Sequence, residues 1–271
     1  MDVKAVEARL RERVLEALEK WGDDDRHPVP SPSGIARCFR QQWCRGTRHP
    51  ITNPDQPAWA KKMEQGKLVE PFWHEVFQMA GFTVATLNER VPVAGGPMTG
   101  VGDRMLMDEV EALFPGAMLL ELKDLGMFTF YEFLKYGLKE GNPDYYYQVQ
   151  CYMAMYAVPF AIVFAGQADA SSTTWWWRTR EKKEHGPEAA EWPPPFLLEI
   201  VPFAPADFAW AQQRAVDVDW YIKNVAELFK VPRDYDPGTD KYYQTAGGRK
   251  KQKPCSYCPF RQACVDAGEI L

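Results

Sequence analysis

Long apolar runs are missing from these 271 residues. No window approaches the roughly 18 consecutive apolar residues that a membrane-spanning helix needs. Met1 to Lys20 is a charged amphipathic stretch rather than a signal segment, so the expected location is the cytoplasm, with no membrane partner. Cysteine is scarce as well. Six residues (Cys38, Cys44, Cys151, Cys255, Cys258, Cys264) are too few for a secreted disulfide scaffold of this length. There is no G-x-x-x-x-G-K-S/T phosphate loop, which excludes ATP hydrolysis by that route. Nor is there a basic excess: 32 Lys plus Arg face 37 Asp plus Glu, a net charge of -5.

What is present is a globular composition, 46% hydrophobic and 25% charged, with 22 Pro and 19 Gly. That suits one elaborated domain, 1–271, without a natural linker. Charge is unevenly spread. Arg37, Arg40, Arg45 and Arg48 form one acid-free basic island, and Arg249, Lys250, Lys251, Lys253 and Arg261 form another, each with cysteines among them. Cys255-x2-Cys258-x5-Cys264 is a compact thiolate group that needs a fourth ligand if it binds metal. Cys151, in an aromatic stretch, reads as a small buried apolar residue.

Periodicity predicts helices over Val3–Trp21, from Ser31 through Cys44, and over Trp59–Met79 ending at Gly81. Strands follow within Phe82–Val93, Met98–Met107 and Ala117–Lys123, with turns at Gly95-Gly96 and Pro115-Gly116. Helices are predicted at Phe128–Lys139 and Tyr145–Tyr156, strands at Phe160–Gly166, Thr173–Arg178 and Phe196–Val201, and a long helix at Pro205–Phe229. The fold class is α/β, a mixed central sheet flanked by helices, with N-terminal helices and a C-terminal cysteine-rich loop.

Chemistry concentrates on one strand. In Met118-Leu119-Leu120-Glu121-Leu122-Lys123 the side chains of Glu121 and Lys123 share a face, because strand side chains repeat every two residues. Gly102-Asp103 puts another carboxylate on the neighbouring predicted strand. Glu70 and His74 are two further candidate ligands at i and i+4 on one helix face. Carboxylates suit Mg²⁺ or Mn²⁺, ions that leave positions for phosphate oxygens, so the matching reaction is phosphodiester hydrolysis. Lys123 would orient water or stabilise the phosphate; as a base it would first need strong desolvation. Phe128, Phe130 and Tyr131, just after Lys123, are candidates for contact with nucleic acid. Trp175, Trp176 and Trp177 divide between core and stacking surface.

Taken in order, Gly66-x-x-x-Glu70, Gly102-Asp103, Glu121-x-Lys123 and Gln148-x-x-x-Tyr152 resemble the motifs of the PD-(D/E)xK nucleases, in the RecB-like and phage-exonuclease branch. The resemblance implies a restriction-endonuclease-like core. It also implies metal ligation by Asp103, Glu121, the Leu122 carbonyl and Glu70 (ranked above His74), catalysis by Lys123, and Gln148 and Tyr152 near the site and DNA. Gly102 stands where the family commonly has proline.

Cys38, in its serine-led helix, resembles the N-terminal cysteine of iron-sulfur nucleases such as the AddB-type and CRISPR adaptation enzymes. That implies a 4Fe-4S cluster on Cys38, Cys255, Cys258 and Cys264, with Zn²⁺ as the rival and Cys44 competing with Cys38. The cluster would tie 31–48 to 245–271 and bring Arg37, Arg40, Lys250 and Lys251 together for DNA phosphates. The implied activity is that of a DNA exonuclease acting on single- or double-stranded ends, with a recombination, annealing or helicase partner. Two rival readings are a non-catalytic DNA-binding or assembly protein of the same fold and a zinc-stabilised nuclease.

Overall fold

Apolar runs and one long helical pair organise the chain. A computed structural model describes residues 30–50, 69–93, 95–107, 116–168, 196–232, 234, 242–244, 250–252, 258 and 260–267. In chain order these contain α1 (Phe39–Gly46), α2 (69–79), β1 (Thr83–Thr86), β2 (Val91–Pro92), β3 (Thr99–Gly100) and β4 (Arg104–Met107). Next come β5 (Met118–Leu125), α3 (Met127–Gly141), α4 (Pro143–Tyr156), β6 (Phe160–Gln167), β7 (Phe196–Pro202) and α5 (Pro205–Asn224). β8 (Tyr242–Gln244), β9 (Lys250–Gln252) and α6 (Arg261–Asp266) complete them, with short 3-10 turns at Pro32–Gly34 and Leu228–Lys230. The expected elements Val3–Trp21 and Thr173–Arg178 lie outside the described residues.

The chain divides into two compact units, one of residues 31–36 and 66–214, the other of 1–30, 37–65 and 215–271. The first holds a five-stranded sheet in the order β1-β4-β5-β6-β7. β5 and β6 are parallel and the other neighbouring pairs antiparallel. A parallel pair requires a crossover, supplied here by α3 and α4. The sheet is therefore mixed α/β, as expected.

β5 and β6 lie at the centre and are apolar on both faces, as strands covered on both sides must be. Leu119 packs with Phe130, Phe133, Val149, Tyr152 and Met153 from α3 and α4. Met118, Leu120 and Leu122 pack on the other face with Phe77 of α2, Leu106, Ile162 and Phe164. By the same alternation, Glu121 and Lys123 fall on the α3/α4 face. Gly137 breaks α3 with φ 70° and ψ 177°, a left-handed φ that favours glycine. The Glu199 carboxylate accepts the Leu138 N–H there, at 2.8 Å.

In the other unit Phe39, Trp43 and Cys44 pack with Val218, Leu228, Val231, Cys258 and Phe260. Trp43 Nε1 donates to the carbonyls of Tyr221 and Val225, each at 3.1 Å. The helix expected to reach Phe229 stops at Asn224, whose side chain donates to the Trp220 carbonyl at 2.7 Å. The apolar period continued past that point because Val225 and Leu228 also pack against this core. Among the described residues no helix is long and apolar enough to cross a membrane.

Candidate active site

Register brings the acids together. β4 and β5 pair antiparallel with Arg104 opposite Leu120, so one further step sets Asp103 opposite Glu121. Asp103 Oδ2 accepts the Leu122 N–H at 2.9 Å. Lys123 Nζ lies 2.5 Å from Glu121 Oε1 and 3.8 Å from Asp103 Oδ2. Glu121 is fully buried, and its other oxygen, Oε2, has no hydrogen-bond partner among the described residues. Two carboxylates thus share one ammonium.

Burial, then the Asp103 charge, pushes the Glu121 carboxyl up to about 8, against the pull of Lys123. For Lys123 burial works towards deprotonation, but Glu121 and Asp103 outweigh it and hold the ammonium above the usual lysine range. The Tyr145 ring centroid lies 5.4 Å from Lys123 Nζ. Tyr145, Gln148 and Tyr152 recur at i, i+3 and i+7 of α4 and so share a helix face. Gln148 Nε2 donates to the Tyr152 hydroxyl at 3.2 Å. Burial, then the Glu121 charge, raises the Tyr152 phenol.

Gly102 precedes Asp103 for a packing reason. A Cβ there would meet Tyr156 Cε2 at 2.9 Å, Leu87 Cδ1 at 3.1 Å and Leu119 Cδ1 at 3.2 Å. Its N–H donates to the Tyr156 hydroxyl at 3.1 Å, a bond proline could not make.

Glu70, on α2, lies 4.0 Å from Arg104 Nη2, and its charge is among those that raise Glu121. His74 is half-buried one turn further along α2. Leu122 meets Asp103 through its amide, while its side chain packs in the core. Arg104 and Tyr145 were not among the sequence candidates. Arg104 follows Asp103 directly, and Tyr145 stands one turn before Gln148, positions that offered the only sequence signal. Phe130 is fully buried in the core, so it is not a surface for nucleic acid; Phe128, the residue two before it, is exposed.

Among the described residues no three His, Cys, Asp or Glu side chains are gathered to hold an ion. Asp103 and Glu121 nevertheless suit Mg²⁺ or Mn²⁺, since Mg²⁺ is commonly held by one or two carboxylates plus waters and phosphates. The unpartnered Glu121 Oε2 is a buried oxygen of the right chemistry for such a cation.

Cys44 is fully buried, and after burial the charges of Cys264 and Cys258 do most to raise its thiol, with Cys38 adding less. Four described cysteines, Cys38, Cys44, Cys258 and Cys264, thus interact electrostatically, while Cys255 of the expected ligand set lies outside the described residues. Arg40 corrects the expectation of DNA contact. It is fully buried, with Nε and Nη2 donating to the Val231 carbonyl at 3.0 and 2.7 Å, while Nη1 has no partner among the described residues. Arg37 is half-buried, and its carbonyl accepts Gln42 Nε2 at 2.9 Å. Lys250 and Lys251 lie on β9; their side chains are outside the described residues.

No protein-family model matches this sequence, and no curated protein does. Several solved structures are similar, three of them as follows. The alkaline exonuclease LHK-Exo from Laribacter hongkongensis is 15% identical, with a TM-score of 0.47 over 76% of this chain and 92% of that one. Its complex with dAMP gives 13%, 0.48, 73% and 89%. SSO0001 is 10% identical, with a TM-score of 0.50 over 94% of this chain and 96% of that one. The likeness to SSO0001 concerns the fold alone.

Proposed function

We propose that this chain is a divalent-metal-dependent deoxyribonuclease, an exonuclease that hydrolyses phosphodiester bonds in recombination or DNA-end processing. One observation carries the reading: a fully buried carboxylate, Glu121, with one oxygen on Lys123 and the other without a partner. Ionising a carboxyl buried so costs several kcal/mol unless a counter-charge completes it, and without one Glu121 holds its proton up to about pH 8. Asp103 and Glu121 would hold Mg²⁺ or Mn²⁺. When bound, the ion supplies polarisation of the scissile phosphate and a more acidic water.

The chain's own groups do the rest. Lys123 stays protonated, so it binds an anionic phosphate oxygen or orients water and does not take a proton. Asp103, fixed by the Leu122 N–H, keeps its carboxylate beside that ammonium. Gln148 and Tyr152 line the same face. The exonuclease mode and the DNA substrate rest on the sequence resemblance. Unwinding, for which the chain has no phosphate loop, falls to a partner.

The test is degradation of end-labelled linear and circular DNA. Wild type is expected to degrade linear DNA only with Mg²⁺ or Mn²⁺. Lys123→Ala should lose about 10²- to 10³-fold in rate, the scale of removing one preorganised charge-stabilising donor. Equal rates would contradict the enzyme reading and favour a non-catalytic DNA-binding protein.

Arg40 supports a second element. A buried guanidinium that has no carboxylate partner among the described residues, one helical turn from Cys44, favours an anionic neighbour. A metal–thiolate centre, 4Fe-4S or Zn²⁺, would supply it, with Cys258, Cys264, Cys255 and either Cys38 or Cys44 as ligands and a structural role. Visible absorption and metal content of anaerobically purified protein, compared with Cys258→Ser, test it; iron or zinc unaffected by that change would refute it.

A further inference from the structure

α3 starts directly after the strand that carries Glu121 and Lys123. Its inward side is apolar as the core requires, with Phe130 and Phe133 buried. An outward helix face is ordinarily polar. Here it carries aromatic residues. Phe128, in the first turn, is 66% exposed, and Tyr131 and Lys135 follow at i+3 and i+7 on the same face. Lys135 Nζ donates to the Tyr131 hydroxyl at 2.9 Å and lies 5.3 and 5.7 Å from the Tyr131 and Tyr136 ring centroids. One exposed ring and one cation held over two others follow immediately on the phosphate-handling strand.

We propose that this face of α3 is the platform for the single-stranded end of the DNA substrate, with an unpaired base stacked on Phe128 and Lys135 facing the adjoining phosphate. This rests on the nuclease reading and adds the substrate class to it. Only unpaired nucleotides fit the chemistry. A duplex keeps all but its terminal base faces stacked inside, whereas a single strand offers a π-face at every base and a phosphate beside it. Lys135 matches the polyanion in charge. The platform needs no sequence preference, since stacking tolerates every base.

The test is fluorescence anisotropy of two labelled DNAs, a blunt duplex and the same duplex with a single-stranded overhang, in EDTA so that no bond is broken. Phe128→Ala should bind the overhang DNA about 5- to 150-fold more weakly, the worth of one stacked base. The blunt duplex should be bound as by wild type, and Phe128→Trp should restore overhang binding. Phe229→Ala, which removes an exposed ring elsewhere, should change neither. Three results would overturn the platform: unchanged overhang binding by Phe128→Ala, equal losses on both DNAs, or no binding of either DNA by wild type. Hydrolysis of the overhang DNA with Mg²⁺ is followed in parallel. A wild type that binds and cuts nothing, while Phe128→Ala still loses overhang binding, would defeat the nuclease reading and leave the platform standing.

Discussion

Two cations, Lys123 partly exposed and Arg40 fully buried, stand in opposite circumstances. Lys123, on β5, is answered by two carboxylates within 3.8 Å, and the charge left over is an oxygen of Glu121. Arg40, on α1, is answered among the described residues only by the Val231 carbonyl, and what is left over there is a guanidinium nitrogen. The sheet region is short of a cation and the helical region is short of an anion. Burial forces each deficit to be met from outside the described side chains, and the sign of the deficit indicates what meets it.

The largest expected effect breaks the first half of this contrast. Asp103→Ala should reduce DNA hydrolysis by about 10²- to 10³-fold, and it strands the Leu122 N–H at a further cost of about 1–3 kcal/mol in urea unfolding. Next, Lys123→Met and Arg40→Met compare the two cations directly in metal-free protein. At about pH 9, where the wild-type Glu121 is ionised, removing Lys123 leaves that charge buried and unpaired and should cost about 3–5 kcal/mol. Removing Arg40 strands no carboxylate, only the Val231 carbonyl, and should cost about 1–3 kcal/mol. Equal costs would erase the contrast.

Gly102→Ala sharpens the sheet side alone. The added methyl must displace Tyr156, Leu87 and Leu119, so about 1–3 kcal/mol of overpacking is expected, together with a slower enzyme because Asp103 is the next residue.

The pH dependence has a definite sign. The folded Glu121 carboxyl lies at about 8, above its ordinary 4.5. Its contribution to the stability of the metal-free protein is therefore full below about 4.5 and is lost as pH climbs through about 8. Protons and cations compete for this carboxylate, so Mn²⁺ affinity should rise over the same interval. Denaturation and Mn²⁺ titrations at pH 5, 6.5 and 8 check both trends. The smallest effect belongs to Tyr152→Phe, which removes the acceptor of Gln148 and should cost about 0.5–1.5 kcal/mol.

Much of the sheet region was legible in sequence because its chemistry is local. Residues 121 and 123 share a face by strand alternation alone, and Gln148 and Tyr152 by helical spacing. Asp103 needed only the pairing of two adjacent strands. Arg40 was misread for the opposite reason. Acid-free basic runs usually mark a solvated face, and nothing within Ala36–Arg48 says that residues 218–231, far along the chain, bury that helix. The end of α5 was missed because Val225 and Leu228 keep the apolar period while the backbone has already left the helix. Phe128 and Phe130 differ by two positions, and only the packing of α3 separates the exposed ring from the core one.

The most direct measurement is Mn²⁺ binding, by electron paramagnetic resonance titration, to wild type, Glu121→Gln and Cys258→Ser. The expected result is binding by wild type and Cys258→Ser alike, with Glu121→Gln weaker by at least about tenfold, the lower bound for disturbing a metal site. Mn²⁺ bound as tightly by Glu121→Gln as by wild type, or not bound by wild type at all, would contradict a cation held at Asp103 and Glu121.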